Sequence, residues 1–337
     1  MSQLQPLLEV RNLEVHYKRR RSRQTLKATD GVSFEILPGT TLGLVGESGS
    51  GKSTIAKAIL GMTPVHSGVI KLSGKDITNL DRRARRPLSR NLQVVFQDPN
   101  SSLNPYLTVG RTLAEPLQAQ GEERGEKLRQ RVAEALERVG LPHEAANRYP
   151  AQFSGGQRQR IAIARALMLH PELVICDEAV SALDLSVQAQ ILNLLLELQK
   201  GQGLSYLFIS HDIAVVRFIT ERVVVLYQGQ VMETGLTAAV TENPAHPYTR
   251  ELVNSAPLPD PQAQRQRRAE EEKVRAASPK ARAEVSGPTG QGCPFAGRCP
   301  YVREVCRATR PPLVKTENGG LTACHRYPEW KSSANPG

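Results

Sequence analysis

No apolar run in this sequence approaches the ~18 residues that a membrane-crossing helix needs. The first residues, Met1-Ser2-Gln3-Leu4-Gln5, lack the basic and apolar regions of a secretory signal. Both absences lead to the expectation of a soluble chain in the cytosol, where nucleotides are. Acidic residues are the minority charge: 33 Asp and Glu face 44 Lys and Arg, a net charge of +11. Such a surplus suits nucleic acid, an anionic membrane surface or an acidic ligand. It sits partly in Lys18-Arg19-Arg20-Arg21 with Arg23, and in Arg82-Arg83 and Arg85-Arg86, all in expected loops. No DNA- or RNA-reading motif accompanies these runs, so dispersed, solvated charge is the favoured reading and no nucleic-acid partner is expected. Cysteines are few, five in 337 residues, and four of them fall beyond residue 290. That length suggests one large domain plus an appendage.

What is present begins with Gly46-Glu47-Ser48-Gly49-Ser50-Gly51-Lys52-Ser53-Thr54. An apolar run, Thr41–Val45, precedes it as a buried strand, and Ile55–Leu60 follows as a helix. This is the strand–loop–helix setting in which a phosphate-binding loop makes physical sense. The glycines let the backbone curl so that successive N–H groups point into one concavity. The helix start adds free N–H groups and a positive dipole end. Lys52 supplies a mobile charge for the outer phosphates, and the Ser53 hydroxyl can ligate Mg²⁺.

Around the loop, Leu7–Tyr17, Gly31–Leu37 and Ser67–Leu72 read as short antiparallel strands. Thr108–Leu141 becomes helical, with an amphipathic helix over Lys127–Val139 stopped by Gly140. A helix running from Ser154 through Met168 is followed by a strand at Leu173–Cys176. A helix over Val187–Lys200 and a strand at Leu204–Ile209 come next. Arg222–Tyr227 and Gln230–Glu233 read as a closing hairpin. Helix and strand alternate as in an α/β core with parallel strands. From Pro257 to Gly292 the composition turns to Pro, Gln, Arg, Glu and Ala, a solvated linker with a helix as the alternative. Only one phosphate loop occurs, with no internal duplication.

The strand Leu173–Cys176 ends in Asp177-Glu178. Asp177 can hold Mg²⁺ directly or through water, and Glu178 is placed to polarise an attacking water. Phe153-Ser154-Gly155-Gly156-Gln157 opens a helix with a serine cap, a second anion-binding start. Such a start cannot reach phosphates already cradled by its own chain's loop, so its natural ligand is a nucleotide on another subunit. Ser181-Ala-Leu-Asp184, Ile209-Ser-His211-Asp212 and Val95-Phe-Gln97-Asp98 complete the set.

With these stretches in this order, residues 7–240 resemble the ATP-binding subunit of ABC transporters. The resemblance implies an α/β, P-loop NTPase fold of the ABC type. Its parts are a RecA-like core, an antiparallel β subdomain and a helical subdomain over about 98–170, the whole spanning 7–254. It also implies an ATPase acting as a translocase, in which two cassettes pack head to tail with ATP between one phosphate loop and the opposite signature. Tyr17 is then expected to stack on adenine, and Gly46–Thr54 to hold the phosphates. Gln97 is expected to sense Mg²⁺ and contact the membrane partner. Ser154, Gly155, Gly156 and Gln157 would bind the opposite γ-phosphate, and Asp184 would lie across the dimer interface. Ser53, Gln97 and Asp177 would surround Mg²⁺, Glu178 would be the general base, and His211 would hold the γ-phosphate and the water. Two departures from the family pattern stand out. Phe153 replaces Leu, a change that keeps packing, and Ala179 follows Glu178 where Pro is usual, which could loosen the turn.

Val95–Pro105, Asn243–Leu252 and the tail narrow the likeness to the dipeptide/oligopeptide importer ATPases, and within them to the F-type subunit. The implied partners are a second, unlike ATPase subunit, two membrane permeases and an extracytoplasmic peptide-binding protein. The implied location is the cytoplasmic face of the membrane. Cargo stays open among dipeptides, oligopeptides, nickel chelates and glutathione. A soluble ABC ATPase acting on nucleic acid or ribosomes is the alternative. It is disfavoured because those relatives carry two cassettes or long coiled-coil or zinc-hook insertions.

After a linker at 255–291, a tail at 292–330 carries Cys293, Cys299, Cys306 and Cys324, spaced C-x5-C-x6-C-x17-C. A reducing compartment disfavours disulfides. Four thiolates can close a Zn²⁺ site or bind a [4Fe–4S] cluster. The wide gaps do not match the tight knuckles of zinc ribbons. Members of this branch carry a [4Fe–4S] cluster at such cysteines, so the resemblance favours iron–sulfur over zinc or plain thiols. Cys176, inside an apolar strand, is expected to be a buried small hydrophobe.

Overall fold

The computed structural model describes residues 5–18, 25–98, 102–121, 124–256, 262, 265–266 and 291–334. Most of the expected linker and the basic run at 19–23 lie outside these residues. So do Pro99, Asn100 and Ser101 of the Val95–Pro105 stretch.

Alternation builds the first sheet. Leu8–Lys18 (β1) buries Leu8, Val10, Leu13 and Val15 on one face. It pairs antiparallel with Thr25–Ile36 (β2) and Ser67–Leu72 (β4), and Lys75–Asp76 (β5) completes the order β2-β1-β4-β5. The second strand starts six residues before the expected Gly31, because β1 pairs with it as far as Lys18↔Thr25.

The second sheet is the core. Thr41–Val45 (β3), Leu92–Val95 (β6), Leu173–Asp177 (β7), Ser205–Ser210 (β8) and Arg222–Tyr227 (β9) run parallel in the order β9-β3-β8-β7-β6. β3, β7 and β8 are buried at every residue, as parallel strands covered on both faces must be. Gln230–Leu236 (β10) forms the expected hairpin with β9.

Helices cover this sheet. Lys52–Ile59 follows the phosphate loop and buries Ile55, Ala56, Ala58 and Ile59 between the two sheets. Val109–Ala119, Glu126–Arg138 and Gly155–Leu167 pack Leu113, Leu117, Val132, Leu136 and Ile161 into a separate cluster. Gly140 follows the second of these with φ +71°, the left-handed stop its sequence position called for. Phe153 is buried in the same cluster with the Arg148 guanidinium 4.6 Å from its ring centre, so the larger side chain is accommodated.

The basic pair Arg85-Arg86 has a structural task. Arg85 donates to the carbonyls of Ile59 and Ile77, and Arg86 to that of Ala119. The expected loop is instead a short helix at Arg82–Arg85 running into a 3₁₀ turn at Arg86–Arg90, and both guanidinium groups are committed to backbone carbonyls.

Residues 291–334 lie against the cassette. Val314–Lys315 (β11) and Leu321–Thr322 (β12) extend the core sheet, with β12 antiparallel to β10. Phe295 is fully buried between Tyr227 and Tyr248, and Trp330 donates its indole N–H to the Ala245 carbonyl at 2.9 Å. Cys176 is likewise fully buried, and the apolar surroundings push its thiol up to about 12.

Candidate functional site

The site forms where the core strands end. β3, β7 and β8 are neighbours, so the segments leaving their carboxyl ends converge: Gly46–Gly51, Asp177-Glu178 and His211-Asp212. At Gly46 a Cβ would come 2.1 Å from the Leu226 carbonyl oxygen, so only glycine lets the loop leave the sheet here. Ser48 and Gly49 are exposed at the tip, Ser50 is buried, and Gly51 turns the chain into the helix with φ +101°. Thr54 is half-buried in the first helical turn.

The Lys52 ammonium folds back into the cradle and donates to the Gly46 carbonyl at 2.7 Å and the Glu47 carbonyl at 2.9 Å. Burial lowers its pKa, while Glu178, Asp177 and Glu47 oppose that shift. The Ser53 hydroxyl donates to Asp177 at 3.0 Å. Burial raises the Asp177 pKa, and the Ser53 hydrogen bond works against this. A serine hydroxyl and a partly desolvated carboxylate, side by side next to a buried lysine, are the oxygen donors a magnesium ion takes. These residues therefore fit Mg²⁺.

Glu178 sits in the left-handed region at φ +52°. Its N–H donates to the Ile209 carbonyl at 3.0 Å, and its own carbonyl accepts from the Ser181 N–H and hydroxyl at 3.2 and 3.0 Å. The turn is thus held at both ends without a proline, so Ala179, which is buried, does not loosen it. The Glu178 carboxylate lies 3.5 Å from His211 Nδ1. An open cleft of about 260 Å³ runs between Glu47, Ser48, His211, Glu251, Leu252 and Ser255. Gln97 is exposed just past β6, whose Val95 pairs with Cys176, so it stands at the same end of the sheet as Glu178. Tyr17 lies 37% exposed on β1 opposite Leu26, as a stacking platform requires.

The signature residues stand apart. Ser154 accepts from the Gln157 N–H at 3.3 Å, and the Gln157 side-chain oxygen accepts from the Ser154 N–H at 3.0 Å, a reciprocal cap. Gly156 meets the helix Leu185–Gln202, where a Cβ would come 2.4 Å from Val187. Asp184 caps that helix, accepting from the Val187 N–H at 3.0 Å. Among the described residues, no hydrogen bond or ion pair joins Ser154, Gln157 or Asp184 to the phosphate loop.

Two contacts to the loop carried no sequence signal. Tyr248 accepts the Glu47 N–H at 3.0 Å, and Arg298 donates to the Glu47 carboxylate at 2.8 Å and to Glu251 at 2.5 Å. Arg298 and Glu47 are 251 positions apart, and nothing in either local pattern pairs them.

The tail cysteines are free thiols, with Cys299 and Cys306 buried and Cys293 and Cys324 half-buried. Burial pushes Cys293 and Cys324 up to about 11, and Cys299 higher still. No three of their sulfurs lie within 4.8 Å of one another, whereas tetrahedral zinc would need sulfurs about 3.8 Å apart. Among the described residues, the one group of three donors that close is Glu14, His16 and His66. There the two rings stack at 3.8 Å with planes only 23° apart, so their in-plane lone pairs do not converge on one ion.

Comparison with known proteins agrees with this geometry. Residues 29–181 match the family model described as ABC transporter, and residues 232–306 match the oligopeptide/dipeptide transporter C-terminal region. A relative from Brucella abortus (strain 2308), named as a peptide import ATP-binding protein, is 47% identical over 94% of this chain and 92% of its own. A Brucella ovis protein of the same name is 45% identical over 95% and 98%. Among solved structures, the dimeric ATP-binding cassette MJ0796 bound to ADP and phosphate is 32% identical with a TM-score of 0.62, over 68% of this chain and 98% of that one. The cbiO1 subunit of a Clostridium perfringens ABC transporter complex is 28% identical with a TM-score of 0.64, over 77% and 98%. The chain belongs to the ABC transporter family, in the branch that carries the oligopeptide/dipeptide transporter C-terminal region.

Proposed function

We propose that the chain is the ATP-hydrolysing subunit that powers import of di- and oligopeptides through a membrane ABC transporter. The observation that carries this reading is the convergence of Lys52, Ser53, Asp177, Glu178 and His211 at one end of the core sheet. Relatives named for peptide import, aligned along nearly the whole chain, support the cargo class.

Bound Mg²⁺, held by Ser53 and Asp177 with Gln97 nearby, would neutralise phosphate charge. The loop N–H groups and the start of the helix Lys52–Ile59 bind the phosphates, and Lys52 adds a charge that is already desolvated. Tyr17 stacks on the adenine. Glu178, fixed by its turn, polarises the attacking water and takes up its proton, while His211 steadies that water and the γ-phosphate. The free γ-phosphate side is completed by Ser154, Gly155, Gly156 and Gln157 of a second cassette, with Asp184 at the seam. The local capping of Ser154 and Asp184, away from their own loop, and the dimeric state of the MJ0796 cassette support this arrangement.

The partners in this reading are an unlike second ATPase, two permeases and an extracytoplasmic peptide-binding protein, with the chain at the cytoplasmic face of the membrane. No described helix is long and apolar enough to cross a membrane. The cassette spans 7–254 with its helical subdomain over about 98–170, followed by a linker at 255–291 and a tail at 292–330. In the tail, Cys293, Cys299, Cys306 and Cys324 hold a [4Fe–4S] cluster. Four thiols spaced more widely than zinc knuckles support that choice.

Glu178→Gln in the assembled transporter tests the reaction: ATP binds, and both hydrolysis and peptide uptake fall by about 10²–10⁴-fold. Unchanged hydrolysis would remove Glu178 from the role of base. Anaerobic metal analysis with a visible spectrum tests the tail, and an iron-free, colourless chain would remove the cluster.

A further inference from the structure

Glu47 is out of place by charge. It is the second residue of a loop built to hold phosphates, and an uncompensated carboxylate at the mouth of an anion site repels its ligand. All three of its polar groups are nevertheless engaged. Its carbonyl accepts from Lys52 at 2.9 Å, its N–H donates to the Tyr248 hydroxyl at 3.0 Å, and its carboxylate accepts from Arg298 at 2.8 Å.

Arg298 arrives from the far end of the chain on a turn tied together by the cysteine segment. Its N–H and that of Cys299 both donate to the Phe295 carbonyl at 3.0 Å, and the Cys293 N–H donates to the Cys306 carbonyl at 2.7 Å. The guanidinium lies 5.7 Å from the Tyr227 ring centre and 5.6 Å from that of Phe295, and its second arm donates to Glu251 at 2.5 Å. Planar, forked and flanked by aromatic rings, it is fixed in direction as a lysine would not be.

We propose that Arg298 is a positioning residue for the phosphate loop, through which the cysteine-bearing tail sets the affinity for the triphosphate. It neutralises Glu47 and holds the side chain of the residue whose carbonyl takes a Lys52 hydrogen bond, while Tyr248 holds that residue's N–H. Any change that moves the Cys293–Cys306 turn therefore moves a charge at the nucleotide site. The inference rests on the ATP-binding reading above.

The test is equilibrium titration of the full chain with a fluorescent ATP analogue, followed by steady-state ATPase assays of the assembled transporter. Arg298→Met keeps the stem over the rings and removes the fork. It weakens ATP binding about three- to tenfold, a charge-assisted bond discounted for exposure, with kcat at saturating ATP within about twofold. Arg298→Lys restores only part of the affinity, because charge returns without the fork. Glu47→Gln placed in the Arg298→Met background also restores it, because the repelling charge is gone. Tyr248→Phe, which keeps its buried ring, weakens binding in the same direction and serves if the Met variant does not fold. An Arg298→Met titration that overlays the unsubstituted chain overturns the proposal, as does failure of Glu47→Gln to rescue. An unsubstituted chain that binds no triphosphate overturns the ATP reading itself, and this one with it.

Discussion

The phosphate site and the cysteine tail meet at one ion pair, yet they are built by opposite means. The site takes its form from backbone: a loop that only glycine can turn at residue 46, a helix start, and strands that end side by side. The tail takes its form from side chains that reach across the chain, with Phe295 between Tyr227 and Tyr248 and Trp330 on the Ala245 carbonyl. The proposed chemistry of the first region rests on a few charged groups at strand ends, whereas the seat of the second rests on buried aromatic rings. Glu178→Gln should therefore lower ATP turnover by about 10²–10⁴-fold, the range for removing a general base, while the unfolding midpoint stays put. A large drop in that midpoint would break the distinction.

Phe295→Ala should do the reverse. The ring is fully buried, and deleting it costs about 3–5 kcal/mol of stability in the folded chain, read by denaturant titration. The Glu178–His211 pair is untouched, so kcat at saturating ATP is retained while the affinity for ATP falls as Arg298 loses its support. A loss of kcat equal to that of the Glu178 variant would show that the tail shapes the catalytic end of the site as well as the loop.

The same contrast explains what could be read in the sequence. The loop, the two carboxylates and the capped signature are short patterns whose physics is local. Ser53 and Asp177 duly meet at 3.0 Å, and Ser154 and Gln157 cap each other. Four of the five parallel core strands were legible because each is a short apolar run between turn residues; β6, only four residues long with Gln93 inside it, was not. β2 began earlier than its apolar stretch, because pairing with β1 carries polar residues Thr25 and Lys27 into the ladder. Tail docking was not legible. β11 and β12 have two residues each and acquire strand geometry only by pairing, β12 on β10 and β11 on β12. Arg298 and Tyr248 stand in the stretches that carry the likeness to the importer branch, but no role attaches to either until the fold brings them onto Glu47. Arg85 was misleading in the other direction, since its charge reads as surface and its guanidinium is spent on carbonyls.

Acid should loosen the tail's seat before it reaches the site. His246 is buried beneath the tail, with its Nδ1 accepting from the Tyr248 N–H at 3.0 Å, and burial holds its pKa down to about 3 from the ordinary 6.5. Between those values the unfolded chain binds a proton that the folded chain refuses, so stability falls as pH falls through that window. The slope approaches about 1.4 kcal/mol per pH unit. Glu233, which accepts from the Ala245 and His246 N–H groups, works against this. Burial raises its pKa, so its folded form takes up a proton more readily than its unfolded form as pH falls. Replacing His246 with Gln removes only the first contribution, and denaturant titrations at pH 7 and pH 5 should then differ less than in the parent chain. Equal pH slopes for both proteins would take His246 out of the seat.

Ser154→Ala gives the smallest effect in the isolated chain and the sharpest division between the two ways of building. Its hydroxyl caps a helix here, and losing such a cap costs about 1 kcal/mol. If capping were its whole task, that loss would be the only change, and ATPase activity of the assembled transporter would follow stability. A residue that also binds the γ-phosphate of the opposite cassette behaves differently. Its substitution lowers turnover only when two cassettes close, and leaves ATP binding by the single chain unchanged. Comparing single-chain affinity with assembled turnover for this one variant separates a local cap from half of a shared site. Turnover that falls no further than stability would place Ser154 with the structural residues of the fold.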